Sequence, residues 1–138
     1  WLDRRKGLFQ NLHVDDQVGM HMHVSRTAFS SQLAEALFVV FVNYSVLDNR
    51  FAWLFGPQSK WAKAKSKSVD NYVNFDRQEA VNCQNVSTVE VRAFRGTTNP
   101  DLVKQRVSFI EKAIQFCNEQ AQKQTLNPPF EDFVGFVA

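Results

Sequence analysis

Val18-Gly19-Met20-His21-Met22-His23-Val24-Ser25 alternates apolar and polar side chains over most of its length. A period of two residues is typical of a β-strand, in which successive side chains point to opposite faces of the sheet. We therefore predict a strand over residues 18–25. Its apolar face should carry the two methionines and Val24, and its polar face should carry His21 and His23.

A second alternating segment, Thr88 to Phe94, is the clearest strand further along the chain. A third, shorter strand is predicted over Ala80 to Gln84, ahead of a turn-prone segment at 85–87. The pattern of the second segment places Val89, Val91 and Ala93 on one face and Glu90, Arg92 and Phe94 on the other.

Two segments have the periodicity of amphipathic helices. From Thr27 onward, apolar residues recur every three or four positions, which predicts a helix over 27–47 that ends near Asp48 and has Ser25 or Thr27 as its N-cap. Asn99-Pro100-Asp101 combines an N-cap, a proline suited to the first helical position and a favourable charge, and so predicts a helix over 99–122. Together with the strands, this order of elements indicates an α+β fold.

The remaining segments have weaker patterns. Trp1 to Leu12 is predicted as a short helix that leads into a loop over His13 to Gln17. Phe51 to Trp61 is predicted to be irregular, and Phe130 to Ala138 is predicted as an apolar tail.

Composition and charge exclude several classes of protein. The 138 residues are 44% hydrophobic and 22% charged, as in an ordinary folded protein, so we treat residues 1–138 as a single domain or part of one. The net charge of +2 gives no indication of a nucleic-acid partner. The longest apolar run, Ala36 to Val42, is too short to span a membrane. Cys83 and Cys117 lack metal-site spacing, so we expect free thiols and a cytoplasmic location.

The polar faces of the two main strands carry four side chains suited to metal and phosphate chemistry. His21 and His23 project from one face about 6–7 Å apart at the backbone, and Glu90 and Arg92 repeat this spacing with opposite charges. Carboxylate oxygens bind hard cations, and arginine stabilises a transferring phosphoryl group. The alternative is that the histidines lie on a solvent-facing edge and that Glu90 and Arg92 form a surface pair worth less than ~1 kcal/mol.

These segments resemble two motifs of a known superfamily. Gly19 to Ser25 is similar to the Gly-x-His-x-His-x-Ser strand of glutamine synthetases and glutamate–cysteine ligases. The run Thr88-Val89-Glu90-Val91-Arg92-Ala93-Phe94-Arg95-Gly96-Thr97, followed by Asn99-Pro100, resembles their later Glu-x-Arg and Asn-Pro element, most closely that of the amidoligases. The resemblance runs from about Phe9 to Cys117, with the two motifs about 65 residues apart.

The resemblance implies an ATP-dependent carboxylate–amine ligase. Such an enzyme phosphorylates a carboxylate with ATP, and an amine then displaces phosphate from the acyl phosphate. By position, His21 and Glu90 would ligate Mg²⁺ or Mn²⁺, His23 and Ser25 would lie near the nucleotide, and Arg92 would contact the transferred phosphate. The carboxylate would belong to a small amino acid or peptide, with a separate amine donor.

The resemblance also implies a fold, namely the C-terminal half of a glutamine-synthetase-like catalytic domain. We expect an antiparallel curved sheet with helices 27–47 and 99–122 packed on its convex face. The side chains of His21, His23, Glu90 and Arg92 should share the concave face. Glutamine synthetases assemble into rings, so a homo-oligomer is a further expectation, although no feature of the sequence specifies such contacts.

One part of the superfamily pattern is missing. Such ligases carry acidic metal ligands, commonly Glu-x-Glu, on strands before the His-x-His strand, but the only acids before Gly19 are Asp3, Asp15 and Asp16. We therefore expect the remaining ligands to come from a missing N-terminal half or a partner chain. The alternative function is a non-catalytic structural or assembly module that keeps the ligase fold, for example in a viral or multi-chain particle.

Other polar residues are weaker candidates. The basic segment 60–67, which includes Trp61, is predicted as a solvated, mobile loop rather than a phosphate-binding one. Arg50 and Arg77 could bind a substrate carboxylate or phosphate, and Arg95 should point away from Arg92 unless the strand bulges at Gly96. A His-x-His metallohydrolase would need further ligands at strand ends, and His13 is the one histidine left for that role.

Overall fold

The sheet consists of four antiparallel strands in the order β1–β2–β4–β3. A computed structural model of the chain describes residues 9–15, 19–60, 62–73 and 78–138. The strands are β1 (Phe9–Asp15), β2 (Gly19–Ser25), β3 (Val81–Asn82) and β4 (Thr88–Phe94). The strands predicted from alternation, β2 and β4, are confirmed, and they lie side by side at the centre of the sheet.

A bulge in β4 changes the face on which its last residue lies. Met22 on β2 pairs with Val91 on β4. Moving two residues back along β2, to Met20, moves the partner three residues forward along β4, to Phe94. The extra residue turns Phe94 toward the apolar face, where its ring stacks on Phe55 at a centroid distance of 4.7 Å. The prediction that Phe94 lies on the polar face is therefore wrong, because strict alternation does not continue through a bulge.

Helix α1 (Gln32–Leu47) begins later than its periodicity predicts. Its N-cap is Ser31, whose side chain accepts a hydrogen bond from the Ala34 amide at 3.2 Å. Residues 26–28 form a separate 3-10 helix that Ser25 caps. The predicted start at residue 27 is thus wrong, since local capping by Ser25 completes one turn before the α-helix begins. The predicted end near Asp48 is confirmed.

Helix α3 (Pro100–Gln122) has the predicted bounds and the predicted cap. Asn99 Oδ1 accepts hydrogen bonds from the amides of Asp101 at 3.0 Å and Leu102 at 3.5 Å. Two further helices are absent from the sequence-based prediction, namely α2 (Ala52–Phe55) and α4 (Phe130–Val137). Both are too short for helical periodicity to stand out in the sequence, and tertiary packing stabilises such short helices.

One hydrophobic core joins the helices to the apolar face of the sheet. Met20, Met22 and Val24 are fully buried in this core, as the alternation of β2 predicts. Among the helices, Phe41 of α1 stacks on Phe133 of α4 with centroids 4.9 Å apart and planes 11° apart. The α+β class and the antiparallel pairing are therefore confirmed.

Strand β1 corrects the prediction for the N-terminal segment. Residues 9–12, predicted to be helical, and residues 13–15, predicted to be a loop, form a strand that pairs with β2 from Phe9↔Val24 to Asp15↔Gly19. The three-residue spacing of Phe9 and Leu12 suits a helix, but pairing with β2 decides the conformation. The parts of this prediction that concern residues 1–8 and 16–17 lie outside the described residues.

The structure bears on the predictions for the cysteines and for membrane-spanning segments. Within the described residues, Cys83 and Cys117 are buried and neither forms a disulfide, as expected. Burial raises the pKa of the Cys83 thiol to about 12. Within the described ranges, no helix combines the length and apolar character that crossing a membrane requires.

Gly19 begins β2 in a conformation that other residues rarely adopt. Its φ is +96°, and a Cβ at this position would lie 2.5 Å from the carbonyl oxygen of Phe94. We expect Gly19→Ala to lower the free energy of unfolding by about 2 kcal/mol or more, since a positive φ alone costs about 1–3 kcal/mol. Urea unfolding followed by circular dichroism measures this change.

Gly135→Ala in α4 is the matched control. Apart from its chain neighbours and the backbone of α4 itself, no atom lies within 4 Å of a Cβ built at Gly135. Alanine is favoured over glycine inside a helix by about 0.5–1 kcal/mol. This variant should be as stable as the wild type or more stable. Equal unfolding free energies for the Gly19 and Gly135 variants would contradict the close approach of Gly19 to β4.

Candidate functional site

The carboxylate of Glu90 lies at the centre of a polar cluster on β2, β3 and β4. Its Oε2 lies 3.0 Å from His23 Nε2 and 3.4 Å from His21 Nδ1. Its Oε1 lies 3.2 Å from Arg92 Nη1 and 3.3 Å from Asn82 Nδ2. We refer to these five residues as the Glu90 cluster. It brings together four of the predicted site residues from two segments that are far apart in the sequence.

The strand register explains how these side chains meet. His23 on β2 and Asn82 on β3 both lie directly opposite Glu90 on β4. Residues opposite each other in antiparallel strands have their Cβ atoms about 5 Å apart on the same face. His21 lies two residues before His23, and Arg92 lies two residues after Glu90, so both project toward the same side.

Most of the cluster is shielded from solvent. The exposed fraction of the side chain is 10% for His21, 11% for Glu90 and 16% for Arg92, whereas it is 25% for His23. Charges with so little exposure are screened less by salt than exposed pairs are. The alternative, in which the histidines face solvent and Glu90 and Arg92 form a surface pair, is therefore wrong.

Glu90 remains ionised in this setting. Burial raises the pKa of its carboxyl group, but the hydrogen bond from His21, the charge and hydrogen bond of Arg92 and the charge of His23 outweigh burial and lower the pKa to about 2. Opposite charges and donated hydrogen bonds both favour the ionised form of a carboxyl group. Glu90 is therefore an anion that orients the nitrogen donors around it.

The ring of His23 has a partner at each nitrogen. Nε2 faces Glu90, and Nδ1 lies 3.4 Å from Thr88 Oγ1. An ionised carboxylate can only accept a hydrogen bond, so in the neutral ring we assign the proton to Nε2 and the acceptor role to Nδ1. Thr88 then donates its hydroxyl proton to Nδ1, and both contacts fix the orientation of the ring.

Sequence reasoning missed Asn82 and Thr88 as members of this site. Thr88 lies two residues before Glu90, so the alternation of β4 already placed its side chain on the polar face. That signal could have identified Thr88. Asn82 lies within the predicted strand 80–84, but its contact with Glu90 depends on which strand lies beside β4, and no local pattern specifies that.

Ser25, a predicted nucleotide contact, has a different role in the structure. Its Oγ lies 2.8 Å from Thr27 Oγ1 and accepts a hydrogen bond from the Thr27 amide at 3.4 Å. These contacts cap the 3-10 helix at residues 26–28. The structure does not bring Ser25 to the Glu90 carboxylate, and its contact with a nucleotide stays a prediction.

The weaker arginine candidates are not brought into the cluster. The guanidinium of Arg50 lies 2.9 Å from Asp48 Oδ2 and 2.7 Å from Glu131 Oε1. The side chain of Arg95 lies over Gly56, where an added Cβ would be 2.5 Å from Arg95 Cγ. The predicted role of Arg77 falls outside the described residues.

The basic segment 60–67 is held against the rest of the chain at several points. Lys67 Nζ lies 2.7 Å from Oε1 of Glu79, which is buried. The Lys63 amide donates a hydrogen bond to the Gln78 carbonyl at 2.9 Å. Lys67 is thus part of a shielded ion pair, whereas Lys60, Lys63 and Lys65 are exposed, as predicted. Trp61 lies outside the described residues.

The donors of the Glu90 cluster do not make a complete Mg²⁺ site. Mg²⁺ requires near-octahedral coordination, mostly by oxygen. Across residues 9–15, 19–60, 62–73 and 78–138, no group of three or more His, Cys, Asp or Glu residues could hold a metal ion. Both oxygens of the one carboxylate already face nitrogen donors. The predicted ligands His21 and Glu90 therefore do not fit Mg²⁺ or Mn²⁺ by themselves.

Comparison with known proteins gave no match for this chain among protein-family models, curated proteins or solved structures.

Glu90→Gln keeps the shape of the side chain and removes the charge that orients His21, His23 and Arg92. We expect the free energy of unfolding at neutral pH to fall by about 1.5–3 kcal/mol, as for hydrogen bonds to charged groups. The folded-state pKa of Glu90 is about 2, below its ordinary value of 4.5. Its contribution is therefore complete above about pH 4.5 and is lost as the pH falls toward about 2. Urea unfolding at several pH values across this range measures the effect.

Glu119→Gln, at an exposed position of α3, is the control for this prediction. Its stability should stay within about 0.5 kcal/mol of the wild type at each pH. The difference between wild type and Glu90→Gln should shrink with acidification. A difference that stays constant between neutral and acidic pH would mean that the charge of Glu90 does not stabilise the cluster.

Proposed function

We propose that this chain carries part of the active site of an ATP-dependent carboxylate–amine ligase with a glutamine-synthetase-like fold. The supporting observation is the convergence of the His-x-His and Glu-x-Arg motifs around one ionised carboxylate. Each motif resembles its counterpart in the ligases by sequence alone, independently of where the two lie in space. Their meeting on one sheet face is what a shared catalytic role requires.

In this proposal Arg92 is the catalytic residue. Its guanidinium contacts the γ-phosphoryl group as this group moves from ATP to the carboxylate of a small amino acid or peptide. The P–O bond to ADP breaks and a P–O bond to the carboxylate forms. An amine then attacks the acyl carbon, the C–O bond to phosphate breaks, and the nitrogen loses a proton to the departing phosphate. A fixed cation offsets the charge that develops on the transferring oxygens. Contact with Glu90 holds Arg92 in position for this task.

His23 is the member of the cluster that we assign to the nucleotide phosphates. Its side chain is more exposed than those of His21 and Glu90, and its ring is oriented by Thr88 as well as by Glu90. A ligand that approaches the polar face of the sheet therefore reaches His23 more readily than His21.

The cofactor in this proposal is ATP with Mg²⁺ or Mn²⁺. Because the described residues do not form a complete metal site, the proposal requires further oxygen ligands from an N-terminal half or a partner chain, which would act together with His21 and Glu90. Within the described residues, Glu90 acts as a positioning residue for its nitrogen neighbours.

A non-catalytic structural or assembly module that keeps the ligase fold is the second candidate. The observation in its favour is that both oxygens of Glu90 already face nitrogen donors of the chain itself. A carboxylate used in this way stabilises the sheet without a metal or a nucleotide. The two candidates differ in whether the protein binds ATP.

Calorimetric titration with Mg²⁺-ATP distinguishes the candidates. The native protein, produced with any longer chain or partner subunit that it carries, should bind ATP, and Arg92→Gln should weaken binding by at least about tenfold. Arg50→Gln is the matched control, because that guanidinium is engaged with Asp48 and Glu131. It should leave the affinity unchanged.

Circular dichroism establishes that each variant is folded before titration. No ATP binding by the wild type would overturn the ligase proposal and support the assembly module. Equal weakening by Arg92→Gln and Arg50→Gln would indicate general attraction of ATP to positive charge and would contradict the role assigned to Arg92.

A further inference from the structure

A cavity of about 570 Å³ opens among the helices. Its walls come from α3, from α4 with the adjoining Ala138 and from residues 50–54, and no described residue of the sheet lines it. Pockets that bind small molecules typically measure about 300–1,000 Å³. The cavity therefore has the size of a ligand site, and it is distinct from the Glu90 cluster.

The lining of this cavity is largely apolar. Leu54 and Phe109 contribute buried surface, and Val134 and Val137 of α4 add aliphatic side chains. Trp53 also lines the cavity and remains 61% exposed. An exposed tryptophan at a concave apolar surface is typical of a binding site, since the indole ring gains by contact with another apolar group.

One side of the cavity carries positive charge. Lys104, Ser108 and Lys112 line it, and their spacing of four residues places them in a row along one face of α3. The row spans about 12 Å of helix. Neither lysine makes an ion pair or a hydrogen bond with another residue in the part of the chain that the structure describes. Arg50 also lines the cavity, but Asp48 and Glu131 neutralise it.

We propose that this cavity binds a small amphipathic anion, namely an alkyl chain that ends in a carboxylate. The alkyl chain lies against Trp53, Leu54 and Phe109, and the carboxylate lies between Lys104 and Lys112, within reach of the Ser108 hydroxyl. The apolar walls disfavour a fully polar ligand, and the unneutralised lysines disfavour an amphipathic cation. This inference is independent of the ligase proposal, because the two sites share no residue.

Three probes with the same ten-carbon chain test this inference: sodium decanoate below its micelle concentration, decan-1-ol and decyltrimethylammonium. Isothermal calorimetry on the native protein should show saturable binding at one site for decanoate. The alcohol should bind at least about tenfold more weakly and the cation more weakly still. Binding in the cavity should quench or shift the fluorescence of Trp53. The Trp53→Phe variant should lose this change, which would assign the signal to Trp53 and locate the probe.

Two sets of variants check the site. Lys104→Gln combined with Lys112→Gln should weaken decanoate binding by at least about tenfold and leave decanol binding unchanged. Lys123→Gln, an exposed lysine at the end of α3 outside the cavity, should bind decanoate as the wild type does. Ser108→Phe should fill the cavity and abolish binding of both probes. The lysine variants change surface charge without altering the core, so they remain informative if Ser108→Phe does not fold.

Three results would overturn the inference. The first is the absence of saturable decanoate binding, and the second is equal binding of decanoate and decyltrimethylammonium. The third is a dimer in sedimentation velocity that protects Trp53 from a soluble quencher, since the occupant of the cavity would then be a second copy of the chain.

Discussion

The guanidinium of Arg106 is buried in the core and joins four elements of the fold. Its Nε donates to the Leu54 carbonyl at 2.8 Å, and its Nη1 donates to the Arg95 carbonyl at 2.6 Å. Nη1 also lies 3.5 Å from Met20 Sδ, and the Phe94 ring lies 5.1 Å from Cζ. Burial lowers the pKa of Arg106 to about 10, so it is still charged at neutral pH. A buried cation is costly unless its donors are satisfied, and here the partners are carbonyls, a thioether and an aromatic face.

The partners of Arg106 lie in α2, at the end of β4 and in β2, so Arg106 fixes how these elements meet. The position of the Glu90 cluster depends on this arrangement. Leu54 belongs to α2, Arg95 follows the last residue of β4, and Met20 pairs with Phe94 across the bulge. Because Arg106 holds the end of β4 against α2 and α3, Phe94 stays in the core and the bulge falls next to Arg92. The polar side chains before the bulge keep their places opposite β2. The geometry of the Glu90 cluster thus depends on a contact on the other side of the sheet.

Local patterns in the sequence predicted β2, β4 and α3, because each of these elements carries its own signal. The alternation of Met20 to Val24 and the cap at Asn99 do not depend on the rest of the chain. The elements that were missed depend on distant partners. Strand β1 exists through pairing with β2, and α4 through stacking of Phe133 on Phe41. No pattern around Arg106 indicates a buried guanidinium, since lysine and arginine are usually exposed on a helix.

The residues of the candidate site likewise fall into two groups: those that a local pattern predicts and those that depend on contacts between distant segments. The alternation of β2 and β4 predicted that His21, His23, Glu90 and Arg92 lie on polar strand faces, and the resemblance led us to expect that these faces meet. Asn82 required knowledge of the strand order, and the capping role of Ser25 required knowledge of where α1 begins. A position within a strand can therefore be inferred from sequence, whereas a contact between strands requires the register.

The chemical composition of the Glu90 cluster bears on its role. Replacing a buried polar network by apolar side chains of similar volume is often neutral or stabilising, so stability alone is a weak reason to keep one. The carboxylate of Glu90 is shielded and has four nitrogen neighbours. The other face of the sheet already supplies the apolar side chains that form the core. Apolar residues at all five positions of the Glu90 cluster could therefore pack at little cost, whereas replacing Glu90 alone leaves its nitrogen partners unpaired. Two imidazoles, a guanidinium and an ionised carboxylate at these positions agree with the proposed recognition of a charged ligand on the polar face.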